Sequence, residues 1–326
     1  VNGAGVSIGA ISDGVSNLAA SQALNELPAV NVLAAGSGDE GTAMLEIIHD
    51  MAPGAALLFS ATGGGVVNHV NAQNNLAAAG ANVIAEDIAF DAQPAFQQGF
   101  AASNGDALAA AGVAMHSSAG NRGANHAARV TAVGSGGGPD GNAGPFAGCV
   151  VNPLNVVPIA PGGDTTFDVV LGNNGTRFTL QWSEPRAIFP TAGQGGYTNL
   201  DLFVMDQTGT VCLGQSIGVQ GNGIGDTIEQ VALPGALGGT AVKVVVNVTG
   251  VTGAAAVPVI DLRWRGTQAQ IDNPTRAGSL NPDSNYTGLA TSAAAVNGIS
   301  GLIEGFSSGG PVQIGLTTLW AGPGVG

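Results

Sequence analysis

Charge is what this chain has least of. Only 9% of its 326 residues are Asp, Glu, Lys or Arg, and the eight cationic residues include one lysine, Lys243. The formal net charge is -14, the opposite of what nucleic acid or an anionic membrane surface would attract. Aromatic residues are also scarce, at 5%. The 44% hydrophobic content is therefore carried mainly by Ala and Val. No uninterrupted apolar run is long enough to cross a bilayer. Two cysteines, Cys149 and Cys212, leave two choices open, one disulfide or two buried thiols. No leader is visible before Val1, and the chain reads as a mature or excised piece. Low charge and an acidic balance suit an extracellular or acid-exposed protein.

Glycine, at 54 residues, is abundant but follows no collagen period. Apolar periodicity survives between the glycines, so they mark turns and close backbone approaches rather than disorder. Three sequons, at Asn174, Asn247 and Asn285, occur as often as chance allows and carry little weight.

The first 120 residues alternate strand and helix. Strands are expected at Val6–Ile11, Val30–Leu33, Ala56–Ser60, Asn82–Ala85 and Val113–Ser117. Helices are expected at Ser16–Asn25, from Glu40 to Met51, at Val66–Ala79, and at Pro94–Ala111 with Phe96 and Phe100 on one face. Such alternation predicts an α/β fold, a parallel sheet in three layers with helices on both faces. In parallel sheets ligands bind beyond the carboxyl ends of the strands. Asp13, Asp87 and Asn121 each follow a strand end, which predicts one common rim.

The stretch Gly38-Asp39-Glu40-Gly41-Thr42 opens the second helix. Asp39 stands at the cap, and Glu40 in the first turn is held ionised by the helix dipole. Met44, Leu45, Ile47, Ile48 and Met51 recur at helical spacing, and Pro53-Gly54 stops the run. The plain alternative is that both carboxylates only cap the helix.

From Cys149 to Gly266 helical periodicity disappears. Short strands are expected at Thr166–Leu171, Arg177–Trp182, Leu200–Met205, Ile228–Leu233, Ala241–Val248 and 257–264, separated by Gly- and Asn-rich turns. This predicts an antiparallel β-sandwich over 149–266, inserted into an α/β domain made of 1–148 and 267–326. Residues 288–296 return to strand character. No organic cofactor is implied. Calcium is the one metal with candidate ligands, Asp201 and Asp206, in an incomplete set that strand-edge and turn roles explain equally well.

Four blocks, in order, resemble those of the subtilisin-like serine peptidases. Gly5-Val6-Ser7-Ile8-Gly9-Ala10-Ile11-Ser12-Asp13-Gly14 is similar to the block that carries that family's catalytic aspartate. Glu40-Gly41-Thr42-Ala43, followed by Ala52-Pro53-Gly54-Ala55, falls where the family has its histidine block. Ser117-Ser118-Ala119-Gly120-Asn121 resembles the block with the oxyanion asparagine, and Phe306-Ser307-Ser308-Gly309-Gly310-Pro311 the turn before the nucleophile. The resemblance implies a secreted serine endopeptidase with Asp13, Glu40 and Asn121 as catalytic groups. It implies Asp87, Ser118 and Gly120 along a polypeptide substrate.

Two departures accompany it. Glu40 replaces histidine, as in the acid-acting sedolisins, but Met44 stands where those carry their aspartate. The nucleophile block is absent and is expected beyond Gly326. Ser307, in Gly305-Phe306-Ser307-Ser308-Gly309, matches a nucleophile elbow only by pattern, without a following helix. Among the histidines, His49 is expected to pack or cap its helix, His116 to be a core residue, and His69 and His126 to lie on the surface. The rival expectation, from another class, is a catalytically inactive peptidase fold serving as an extracellular surface-layer, filament or binding module. An oligomer fits that reading, whereas nucleic acid and a membrane span are expected of neither.

Overall fold

A computed structural model describes residues 2–123, 125–130, 148–151, 155–159, 165–184, 186, 198–221, 223–251 and 259–270. In the remainder it describes 279, 282, 286, 288–293, 300, 302–304, 307, 308, 312, 313, 319 and 320. The first half is built from β1 (Ser7–Ser12), α1 (Leu18–Ala23), β2 (Val30–Ala34), α2 (Glu40–Met51), β3 (Ala56–Ala61), α3 (Val66–Ala78), β4 (Val83–Glu86), α4 (Phe100–Ala110) and β5 (Ala114–Ser118). Each successive strand is reached through a helix, so the sheet is parallel. Its sixth strand, β15 (Thr291–Ala293), arrives from far along the chain, and the order is β15-β5-β4-β1-β3-β2.

Alternation along these strands sorts the core into two halves. Ile11, Leu58, Ile84 and Met115 share one core with Ala72 and Leu76 of α3 and Ala102 of α4. Ala10, Leu57 and Phe59 face the other way, against Leu45 of α2. Both faces of the sheet are thus covered, which its nearly continuous apolar strands require. Helix α2 buries less than its periodicity predicts. Leu45 is fully buried, but Ile47 and Met51, on the opposite side of the helix from it, are exposed.

The fourth helix differs from the expectation over Pro94–Ala111. It begins at Phe100, after a stretch whose geometry is set by Gln93, with its Oε1 accepting from the Phe100 N–H at 3.0 Å. Phe96 is buried outside the helix, and Phe100 is exposed. The two do not share a helical face.

The remaining strands are antiparallel. β6 (His126–Val130), β8 (Thr176–Trp182), β11 (Ile228–Leu233) and β13 (Val259–Arg265) form a four-stranded sheet in the order β11-β8-β13-β6. β7 (Phe167–Leu171), β9 (Thr198–Asp206), β10 (Cys212–Ser216), β12 (Ala241–Val251) and β14 (Thr267–Gln270) form a five-stranded one in the order β10-β9-β12-β7-β14. Strands β6, β10 and β14 were not expected. Inward-facing Phe178, Leu180 and Trp182 from the first sheet meet Phe167, Val169, Leu202 and Val244 from the second in one apolar core. Outward-facing Phe203, Met205 and Val245 are covered by Cys149 and Val156, and Cys149 is disulfide-bonded to Cys212. The question left open by the sequence is answered as one bridge. A short ladder of β16 (Val312–Gln313) and β17 (Leu319–Trp320) completes the described strands. Residues 257–258 and 294–296 of the expected strands lie outside the described residues.

Candidate functional site

The rim beyond the carboxyl ends of β1, β4 and β5 begins with a backbone clasp. Segment 13–16 runs against segment 35–41: Ser37 N–H donates to Asp13 O (3.2 Å), Gly41 N–H to Gly14 O (2.9 Å), and Ser16 N–H to Gly38 O (3.0 Å). This contact explains the glycines. A Cβ on Gly38 would stand 1.7 Å from Asp13 Oδ2, and one on Gly41 would stand 2.3 Å from the Phe59 ring.

The clasp determines where the carboxylates go. Asp39 occupies the cap position of α2 but does not cap through its side chain. Its oxygens take the Asn17 amide (2.6 Å), the Asn17 N–H (2.9 Å) and the Thr42 hydroxyl (2.7 Å). Those bonds hold its carboxyl below the usual range, Thr42 contributing most. The helix is capped instead by Asp13, with its Oδ1 accepting the Glu40 N–H at 3.0 Å from 27 residues away. Glu40 then leans over the rim, where the Ser12 hydroxyl donates to its Oε2 at 3.1 Å. Burial raises the Glu40 pKa, the charge of Asp87 adds to that, and so does the charge of Asp13; the Ser12 bond opposes them.

Asp13, Glu40 and Asp87 therefore meet. Asp87 is fixed to β1 by its own N–H, which donates to Ile11 O at 3.1 Å. Ser118, Gly120 and Asn121 lie at the end of β5, on the far side of β4 from β1. At the usual strand spacing, β5 is roughly 10 Å from β1, about the width of an extended peptide and its flanks. Asn121 is exposed there, and Gly120 has φ +92°, a turn that only glycine adopts easily. The Ser307-Ser308 turn packs under this corner: Ser308 N–H donates to Gly120 O (2.7 Å), and Arg122 N–H to Ser308 Oγ (2.8 Å). Ser307 is fully buried, which removes it as an exposed nucleophile.

The histidines required correction. His69, expected on the surface, is fully buried, with Nε2 3.0 Å from Glu86 Oε2. Glu86 also accepts from Gln73 Nε2 (2.8 Å) and the Tyr286 hydroxyl (2.7 Å). Burial alone would raise the Glu86 carboxyl, but the bond and charge of His69, with the other two donors, bring it below the ordinary value. This network sits directly behind Asp87, and nothing in the local sequence signals it. His126, also expected outside, is buried against Asp261 at 2.8 Å. His116, expected in the core, is exposed and pairs with Thr291 Oγ1 at 2.7 Å. His49 lies in the last turn of α2, half-buried.

Asp206 serves its own turn, accepting from the Thr210 (2.8 Å) and Val211 (2.7 Å) N–H groups and from the Thr208 hydroxyl. Asp201 is buried on β9. Among the described residues no group of three or more His, Cys, Asp or Glu side chains could hold a metal ion. None of the described helices is long and apolar enough to cross a membrane.

No family model matches the chain. No curated protein matches it in sequence. In three dimensions it is similar to the CspB protease of Clostridium perfringens, with a TM-score of 0.54 and 11% identity, over 96% of this chain and 73% of that one. At that identity the likeness is one of fold: this chain is folded like a protease.

Proposed function

We propose that the chain is the greater part of a secreted subtilisin-like endopeptidase that hydrolyses peptide bonds, with a carboxylate where relatives of that class carry histidine. Glu40 is the acid–base group, Asp13 orients it, and Asn121 donates its amide to the oxyanion. Asp87, Ser118 and Gly120 border the substrate strand, and the serine nucleophile belongs to sequence beyond Gly326. The α/β part has the three-layer arrangement of that class, and the sandwich is an insert within it. We take the insert as 149–266, with β6 and β14 pairing onto its strands β13 and β7 from outside that span.

The observation that carries this reading is the meeting of Asp13, Glu40 and Asp87 at the mouth of a parallel sheet. A capping role alone needs one carboxylate at α2, and Asp13 already fills it. Glu40, raised by burial and then by its two acidic neighbours, is left to exchange a proton in a range above its reference value of about 4.3. The test is hydrolysis of unstructured polypeptide by the full gene product between about pH 3 and pH 8, with Glu40→Gln beside it. The expected loss is about 10²- to 10⁴-fold. An unchanged rate in the variant refutes the assignment.

A second reading, the non-catalytic assembly module, is favoured by one feature. Strand β10 lies at the edge of its sheet, and Val211, Ile217, Val219 and Ile224 around it are more than half exposed. Sedimentation distinguishes the two: concentration-dependent assembly without hydrolysis supports the module.

A further inference from the structure

At one end of the antiparallel sheets, polar side chains close into a ring. The Thr249 hydroxyl lies against Asp201 and accepts from Asn199 Nδ2 at 2.5 Å. Asn199 Oδ1 accepts the Gln220 N–H at 2.7 Å. Gln220 Nε2 donates to Glu229 Oε1 at 2.9 Å, and the Ser216 hydroxyl bonds the other Glu229 oxygen. Glu229 in turn stands near enough for its charge to act on Asp201. Asp201, Gln220 and Glu229 are 7%, 7% and 3% exposed.

Two oxygens in this ring have no partner among the described residues, Asp201 Oδ1 and Gln220 Oε1, and both are sealed from solvent. The ring also holds two carboxylates, and among the described residues no Lys, Arg or His forms an ion pair with either. Buried acceptors left in this state are costly unless something positive or hydrogen-donating joins them. Gly218 brings its backbone over the same place, since a Cβ there would stand 2.6 Å from Glu229 Oε1 and 3.0 Å from Gln220 Nε2.

We propose that Asp201, Glu229 and Gln220 supply oxygen ligands to a divalent cation of the calcium class, bound inside this ring. The donor set is all oxygen, mixing carboxylate with amide carbonyl, which is hard-cation chemistry. The ligands come from a strand, a Gly-rich loop and a second strand, so the irregular geometry that calcium tolerates suits them better than an octahedron. Asp206, the other acidic candidate in the sequence, is excluded because its oxygens are occupied by the 206–211 turn. The site is independent of the peptidase reading and is tested without any assay of hydrolysis.

The experiment is calorimetric titration of calcium chloride into the chelator-treated full chain at neutral pH, with thermal melts in parallel. One equivalent is expected to bind and to raise the melting temperature by several degrees at saturation. Asp201→Asn and Gln220→Met should each weaken binding at least tenfold, while Asp206→Asn binds as the parent does. Absence of saturable binding in the parent protein overturns the proposal, whether or not the variants fold. So does parent-like affinity in Asp201→Asn. A melting temperature that rises on mild acidification but ignores calcium assigns the ring to a shared proton and also overturns it.

Discussion

Asp201 shows how much one side chain's surroundings decide. Burial raises its pKa to about 6, and the negative charge of Glu229 contributes; the Thr249 hydroxyl opposes them. The native state therefore holds a proton that the unfolded chain releases, between its ordinary value of 3.8 and about 6. The sign follows from linkage: the stabilisation by this group is complete below the unfolded value and is lost as pH rises through the native one. In chelator, Asp201→Asn should flatten the pH dependence of the denaturant midpoint across that window and be the more stable form at neutral pH. A midpoint that tracks the parent across the same window refutes the titration. In the sequence this aspartate read as a strand residue or a calcium ligand, and only the fold supplies Glu229, 28 positions later, and the sealed amide of Gln220. The histidine readings failed for the same reason. His69 and His126 looked peripheral because their partners, Glu86 and Asp261, stand 17 and 135 residues away. That Asp13 and Glu40 meet was legible because each adjoins a glycine-marked turn at an element boundary.

Elements with strong periodicity or clear punctuation were legible to within a few residues. Strand β11 has the expected bounds, and α2 runs from Glu40 to the Met51 that precedes Pro53. What failed were elements whose sequence has little pattern of its own. Strand β10 (Cys212–Ser216) is short and half-exposed, and is held by pairing with β9 and by the disulfide at its first residue. Helix α4 starts late because Gln181 holds the backbone of 91–95 in turns and bends and because the Gln93 side chain caps Phe100 from outside. The Cys149–Cys212 bridge closes a loop of 63 residues over the Phe203–Met205 face. Chain-entropy arguments put a bridge over such a span at about 4 kcal/mol. Replacing both cysteines with serine should lower the unfolding free energy of the antiparallel part by roughly 2–4 kcal/mol in denaturant. The parallel sheet, which contains neither cysteine, should show its own transition little changed. Loss of both transitions together would show that the two parts unfold as one.

At the scale of the whole molecule, the antiparallel sheets reach back to the rim. Gln181 donates to Asp91 O (3.1 Å) and Gln93 O (2.9 Å) and accepts from the Ala95 N–H (2.9 Å). Arg186 bonds Ala92 O at 2.5 Å, and its own N–H meets Gln97 Oε1 at 2.8 Å. Asp91 is flanked by Arg122 at 2.7 Å and Arg265 at 3.4 Å. The segment that leaves Asp87 is thus held by strands from the other sheets. Gln181→Met keeps the volume but strands one buried N–H and two carbonyls, each at a cost of about 1–3 kcal/mol. Amide exchange across 91–99 should accelerate while that of β12 stays slow; equal acceleration in both would make the effect global. Coarse architecture was legible because alternation of strand and helix gives way abruptly to strands alone. The grip on the 91–99 segment was not, because a glutamine on the face of β8 turned away from the sandwich core carries no hint of which backbone it will serve.

Strand β15 adds a consequence in time. It lies against β5, with His116 and Thr291 paired although 175 positions apart, and Tyr286 closes onto Glu86 from the same late stretch. A ribosome making this chain releases β5 long before it makes the strand that covers β5's free edge. Nearly all of the antiparallel part must emerge in that interval. The nascent sheet therefore waits with an open flank, and a stall or truncation upstream of residue 286 would leave a product primed to capture a foreign strand there.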